Sequence, residues 1–300
     1  MLKVAWSEIY NHPLPEGHRF PMEKYDLLPK QLLHEGTISN ENIFSPRKLT
    51  EGEILSIHQE KYWHKLQTLQ FTRQEERRSG FPITAGLVDR EVTINGGTIQ
   101  CAEYALKYGV AMNIAGGTHH AYTDRAEGFC LLNDIAIASR YLLNKGLSSQ
   151  ILIVDLDVHQ GNGTASIFEN EPSVFTFSMH GEHNYPLQKE KSDLDIPLRD
   201  GIQDAEYLTL LDTNLKQLLD RLSPDFIFFQ SGVDVLQTDK LGRLGLSQEG
   251  CKRRDEIVLT EAHKARIPLV AAMGGGYSKE IKHILEAHAN TYRTAQELYF

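Results

Sequence analysis

Short runs of apolar or β-branched residues recur along the chain, each closed by small, polar or histidine residues and separated from the next by an amphipathic segment. That alternation predicts βαβ units and a parallel sheet. Strands are predicted at 4–6, 111–115, 151–158, 174–179, 225–230 and 268–273. Most of these runs are nearly continuous in apolar residues, as expected of strands covered by helices on both faces. Helices are predicted over 97–108, 133–144, 205–222, 248–265 and 279–287. In the third of these, Leu208, Leu211, Leu215, Leu218, Leu219 and Leu222 return at helical spacing, a stripe that reads as core and carries no chemistry. Residues 1–90 are less regular and richer in Pro and His, and read as helices and loops added to the sheet. No repeat, low-complexity tract or flexible linker interrupts the chain, so a single α/β domain over 1–300 is expected.

Three hundred residues suffice for one large domain that buries about three quarters of the surface its unfolded chain exposes. Cys101, Cys130 and Cys251 are too few and scattered for a disulfide framework, and no pair has zinc-ribbon spacing, which points to a reducing compartment. Forty acidic residues against 31 Lys plus Arg leave a formal charge of −9, so phosphate-backbone attraction offers no affinity. Direct nucleic-acid binding is not expected. No apolar leader opens Met1 to Glu8, and no stretch reaches the ~18 uncharged apolar residues of a membrane helix. With no polybasic import signal either, a soluble cytoplasmic protein without a membrane partner is the expectation. The run Glu75-Glu76-Arg77-Arg78 reads as a solvated surface patch.

In open parallel sheets ligands bind outside the carboxyl ends of the strands, so the residues closing each apolar run come next. The run from Ile151 sets Asp155, Asp157 and His159 two residues apart, and a period of two puts all three on one face of a strand. Two buried acids there repel each other and resist desolvation, whereas one divalent cation offsets both and accepts the imidazole. The run ending at Gln230 is followed by Ser231, Gly232, Val233 and Asp234. Asp157, His159 and Asp234 together would make a three-ligand set with an open position, the form in which catalytic zinc sites hold water. The plain alternative for Asp-x-Asp-x-His is a helix cap or turn cluster, which accounts for one Asp and leaves the alignment of three ionisable groups unexplained. Taken alone Asp234 is an ordinary loop acid; completing the set is what gives it a role.

Two further ends carry chemistry. Gly116 and Gly117 lead to Thr118, His119 and His120, and adjacent imidazoles beyond a buried strand suit proton transfer near pH 7, although a lone His is more often structural. Met273 is followed by Gly274, Gly275, Gly276 and Tyr277. Glycines let backbone approach a ligand closely, and a tyrosine can donate to a developing oxyanion. A phosphate-cradling loop would need Lys-Ser/Thr in P-loop register, which is missing; a plain aromatic at a helix start is the other reading of Tyr277.

Taken together these segments resemble the histone deacetylase family, from about Trp6 to Tyr277. The resemblance rests on five motifs in order: Gly116-Gly-Thr-His-His120, Gly128-Phe-Cys-Leu-Leu-Asn-Asp134, Asp155-Leu-Asp-Val-His-Gln-Gly-Asn-Gly163, Gln230-Ser-Gly-Val-Asp234 and Gly274-Gly-Gly-Tyr277. It implies the arginase/deacetylase fold, a central, mostly parallel sheet of about eight strands flanked by helices. It implies a zinc-dependent hydrolase that removes acetyl or another acyl group from N-acylated lysine in a protein, or from an acetylated polyamine or other small amide. Residue by residue it implies Asp157, His159 and Asp234 as the metal ligands, with iron(II) an alternative to zinc in so oxygen-rich a set. His120 would move the proton, His119, held by Asp155, would orient water, and Tyr277 would polarise the carbonyl. Gly128 and Phe129 match the wall of an acyl-lysine tunnel, with Tyr185 and Leu241 as companions. A structural potassium ion is implied beside Asp155, Asp157, His159, Ser178 and Met179.

Two departures stand out. Most of the family has an acid where this chain has Asn162 and a second His where it has Gln160; the Gln-Gly-Asn form resembles the class IV branch. Behind His120, Asn162 would deprive the imidazole of an anionic partner and make its charged form less favourable. Nor does Ser79-Gly-Phe-Pro82 hold the acid with which many relatives grip the substrate backbone. An arginase-like hydrolase with two manganese ions needs further bridging acids, but Gly161 and Leu236 stand two residues beyond His159 and Asp234. A non-catalytic binder of acyl-lysine needs a tunnel but no proton shuttle, so His119, His120 and Tyr277 argue against it.

Overall fold

Eight strands and ten α-helices share the chain, and the computed structural model describes all 300 residues. The strands are β1 (Lys3–Ala5), β2 (Ile43–Phe44), β3 (Val110–Asn113), β4 (Ile151–Asp155), β5 (Val174–Gly181), β6 (Leu194–Leu198), β7 (Phe226–Gln230) and β8 (Leu269–Ala272). All pair in parallel, in the order β2-β1-β3-β8-β7-β4-β5-β6. The helices are α1 (Lys24–His34), α2 (Glu51–Leu55), α3 (Glu60–Thr68), α4 (Arg73–Ser79), α5 (Ala85–Tyr108), α6 (Asp134–Asn144), α7 (Asn162–Phe168), α8 (Asp204–Leu222), α9 (Gln248–Ala265) and α10 (Ile281–Tyr299).

Every predicted strand and helix is present. The hydrophobic pattern does not show β2 and β6, the two edges of the sheet: β2 is two residues long, and β6 carries Pro197 and is largely half-exposed. α5 begins at Ala85 rather than at 97, capped by Thr84, whose hydroxyl accepts from Leu87 N. Gly96 lies mid-helix, and glycine stands there because a Cβ would run into the carbonyl of Arg47. α10 continues to Tyr299, well past 287. Pro29 lies inside α1 and, lacking an N–H, leaves free the carbonyl of Tyr25, to which Trp6 Nε1 donates at 2.8 Å.

β4 and β7 are buried at every position, and one hydrophobic cluster of 78 residues joins sheet and helices. Leu211, Leu215 and Leu218 of α8 lie in it, with Leu208, Leu219 and Leu222 packed against it. Beneath the sheet's carboxyl edge, fully buried Arg254 of α9 donates to the carbonyls of Leu156, Ser231 and Gly232 and pairs with Asp255. It thereby fastens the loops that follow β4 and β7. Because β3, β8, β7 and β4 stand side by side at the centre, the loops after their carboxyl ends open onto one place. No helix is long and apolar enough to cross a membrane.

Candidate active site

β4 ends at Asp155, whose Oδ1 accepts from Asp157 N at 3.1 Å; Asp157 Oδ1 in turn accepts from His159 N at 3.0 Å. Two successive side-chain-to-backbone bonds turn the chain out of the sheet. The expectation that Asp155, Asp157 and His159 share one face of a strand over 151–158 is thereby corrected, since only Asp155 belongs to β4. Asp234 arrives from the loop after β7. His159 Nδ1 lies 3.1 Å from Asp157 Oδ1 and 3.1 Å from Asp234 Oδ2. Donor atoms of the three buried residues all fall within 4.8 Å of one another, and no second such group of three exists in the molecule. The outer oxygens are held by backbone: Gly275 N donates to Asp157 Oδ2 at 2.8 Å and Val158 N to Asp234 Oδ1 at 2.9 Å. A Cβ at Gly275 would run into Asp234 Oδ2, which is why glycine stands there.

The electrostatics of this group ask for a cation. Burial opposes the charged form of His159, but hydrogen bonds to Asp157 and Asp234 overcome it and raise its pKa to about 10. Burial and the charge of Asp157 push Asp234 up to about 7. Two carboxylates and an imidazole nitrogen contend for positive charge in a dry place, and one divalent ion satisfies all three.

The histidine pair sits beside them, ring centroids 4.2 Å apart. His119 Nδ1 meets Asp155 Oδ2 at 2.7 Å; His120 Nδ1 meets Asn162 Oδ1 at 2.6 Å. Asn162 Nδ2 donates to Glu127 Oε1 at 2.9 Å and to Tyr122 Oη at 3.0 Å, so its amide cannot be turned round. Asn162 Oδ1 must accept, His120 Nδ1 must carry the proton, and Nε2 keeps the lone pair. Burial, with His119 and His159 beside it, holds His120 well below the usual histidine range. For His119 burial is outweighed by Asp155 and Asp157, and its pKa rises.

A cavity of about 340 Å³ leads from the surface to these groups; His120, His159 and Tyr277 line it together with Gly128, Phe129, Tyr185 and Leu241. Burial and the charges of Asp234 and Asp157 raise Tyr277 well above the usual phenol value, so its hydroxyl remains a donor. Asp239 accepts from Leu241 N, Gly242 N and Tyr277 N, at 2.8, 2.9 and 2.6 Å, and ties the cavity wall to the tyrosine. Asp239 escaped the sequence reading, although Asp-Lys-Leu-Gly is a turn signal. Arg77 and Arg78 also line this cavity and are not merely a solvated patch. A narrow inner cavity of about 30 Å³ continues past His119, His120 and Tyr277 to Tyr25, Arg90 and Ile94, and Lys24 Nζ donates to Gly274 O nearby at 3.1 Å. None of these inner residues carries a sequence signal. Across the β4–β5 ladder Asp155 stands opposite Ser178, with Met179 next; Ser178 Oγ also bonds His180 Nδ1 at 2.9 Å.

The chain belongs to the histone deacetylase family: the histone deacetylase domain matches residues 18–292. It is therefore a hydrolase acting on amides. The chain is similar to an uncharacterised protein of Picosynechococcus sp., 44% identical over 296 residues and covering 99% of both chains. It is similar also to histone deacetylase 2 of Arabidopsis thaliana, 30% identical over 279 residues, covering 89% of this chain and 72% of that one. Among solved structures it resembles an HDAC homolog complexed with SAHA, with a TM-score of 0.85 and 26% identity over 99% of this chain and 84% of the other. The expected eight-stranded arginase/deacetylase fold is the fold found.

Proposed function

We propose that this hydrolase is a metal-dependent deacylase that cleaves the side-chain amide of N-acylated lysine. The observation that carries the reading is the gathering of Asp157 and Asp234 about His159, which lines the same cavity as His120 and Tyr277. Zinc, or iron(II), held by those three side chains would supply Lewis acidity and the means to ionise water near neutral pH. His120 Nε2, neutral and aimed by Asn162, takes a proton from the attacking water and passes it to the leaving nitrogen. Water adds to the carbonyl carbon, the C–N bond breaks, and a carboxylate and a free amine result. Such proton transfer contributes about 10²–10⁴ in rate. His119, held by Asp155, orients the water and keeps positive charge beside it. Tyr277 donates to the oxygen as it becomes an oxyanion, a contact worth about 2.7–4 kcal/mol. Gly128, Phe129, Tyr185 and Leu241 sheath the methylene chain of the lysine. Potassium beside Asp155, Asp157, His159, Ser178 and Met179 would brace the β4 end. Gln160 and Asn162 support membership of the class IV branch, and three free cysteines support a reducing, cytoplasmic setting.

A screen of acylated lysine peptides against metal-reconstituted protein tests the reading. Turnover with about one transition-metal ion per chain is expected. Two ions per chain with cleavage of a guanidino substrate, or full loading with no amide cleaved, would refute it.

A further inference from the structure

We propose that the mouth of the cavity selects acyl-lysines set in acidic sequence, through a collar of Arg19, Arg77 and Arg78; this rests on the deacylase reading above. The protein carries a net charge of −9, yet the side chains that line the mouth include three guanidiniums and no carboxylate. Neighbouring cations are paired within the fold, Lys65 with Glu75 and Arg125 with Asp124, whereas Arg19, Arg77 and Arg78 make no ion pair. Their charge is left for something outside.

The collar is built rather than incidental. His18 Nε2 bonds Gly80 O at 2.9 Å, which joins the segment bearing Arg19 to the segment bearing Arg77 and Arg78. Gly128 N donates to Arg78 O at 3.1 Å and Phe129 N to Ser79 O at 2.7 Å, so the same segment is stitched to the tunnel wall. Arg19 Cζ lies 4.9 Å above the ring of Phe129, and Phe20, Phe81 and Phe129 pack edge to face or tilted with centroids 5.1–5.2 Å apart. Phe129 is itself held at φ 67°, a left-handed conformation unfavourable for a bulky side chain that these contacts maintain. Arg77 and Arg78 do complement the carboxyl end of α4, but that leaves unexplained why Arg19 reaches the same mouth from a different part of the chain. Across the rim Glu127 is taken up by Asn162, by Tyr185 Oη at 2.5 Å and by Arg125 at 3.5 Å. Guanidinium forks suit carboxylates, and an array of three repels a cationic chain. Glutamate or aspartate flanking the acyl-lysine is thus favoured, and an acetylated polyamine is disfavoured.

The test uses the full, metal-reconstituted chain and acetyl-lysine peptides of equal length flanked by Glu, Gln or Lys, with an acetylated polyamine as a fourth substrate. Both kcat/KM and the binding constant by fluorescence anisotropy are measured. The Glu-to-Gln ratio should be about three- to tenfold in favour of Glu and should shrink with added salt. In Arg77→Gln/Arg78→Gln the ratio should fall toward one, and Arg19→Glu should lower it as well; being a ratio within one preparation, it is insensitive to the fraction folded. A wild-type ratio of one, or a preference the variants leave intact, would overturn the collar. If no peptide is turned over at full metal loading, the deacylase reading falls, and the ratio of binding constants still decides the collar.

Discussion

Asn162 fixes which ring nitrogen of His120 carries the proton. Family resemblance places an acid at this position, and the structure holds one a link further back: His120 bonds Asn162, and Asn162 bonds Glu127. The neutral amide fixes the tautomer but stabilises the imidazolium too little to offset burial and the neighbouring His119 and His159, so His120 keeps a low pKa. Aspartate at 162 would stabilise charged His120, but alone it would also face the carboxylate of Glu127. Asn162→Asp with Glu127→Gln is therefore the clean comparison. A base works when neutral, so a raised His120 pKa should move the acidic limb of the kcat/KM profile to higher pH; superimposable limbs would remove the idea. Asn162 and His120 are legible because each sits in a motif beyond a strand. Glu127 is not, since its partner Tyr185 lies 58 positions away and nothing local distinguishes it from any loop acid.

At the scale of elements, strands and helices were legible wherever an uninterrupted apolar run or a helical stripe existed, as in β4, β7 and α8. The Asp-x-Asp-x-His run misled about the length of β4 because the aspartates cap their own backbone, an effect that periodicity does not register. The segments before α1 and around α4 were opaque for a different reason: their contacts are remote, as with His18 and Gly80, 62 positions apart. Arg254 shows what such contacts do, since it alone satisfies carbonyls after both β4 and β7 while pairing with Asp255. Arg254→Met should lower the unfolding free energy by about 3–5 kcal/mol, because Asp255 is left charged and buried. Denaturant unfolding checks this, and a loss below about 1 kcal/mol, the range of an exposed pair, would show that the pair is structurally idle.

For the molecule as a whole, the three donors bridge the loops after β4 and β7, so an ion bound there favours the folded state by mass action. At one hundred times its dissociation constant the gain is about 2.7 kcal/mol. Zinc should raise the thermal midpoint of chelated protein, and Asp157→Asn should abolish that shift. Despite burial, His119 and His159 hold Asp157 well below the usual carboxylate range, and it accepts from two backbone N–H groups, so the chelated variant should itself unfold earlier than chelated wild type, and the zinc-induced shift is compared within each protein. An identical zinc-induced shift in both proteins would place the ion elsewhere.

The most direct measurement is hydrolysis of an acetyl-lysine peptide by metal-reconstituted wild type and by Tyr277→Phe at matched metal content. A dry metal centre beside a protonated phenol predicts turnover by the wild type and a rate about 10²–10³ lower in the variant, with metal binding preserved. Equal inertness of the two proteins at full loading would contradict it.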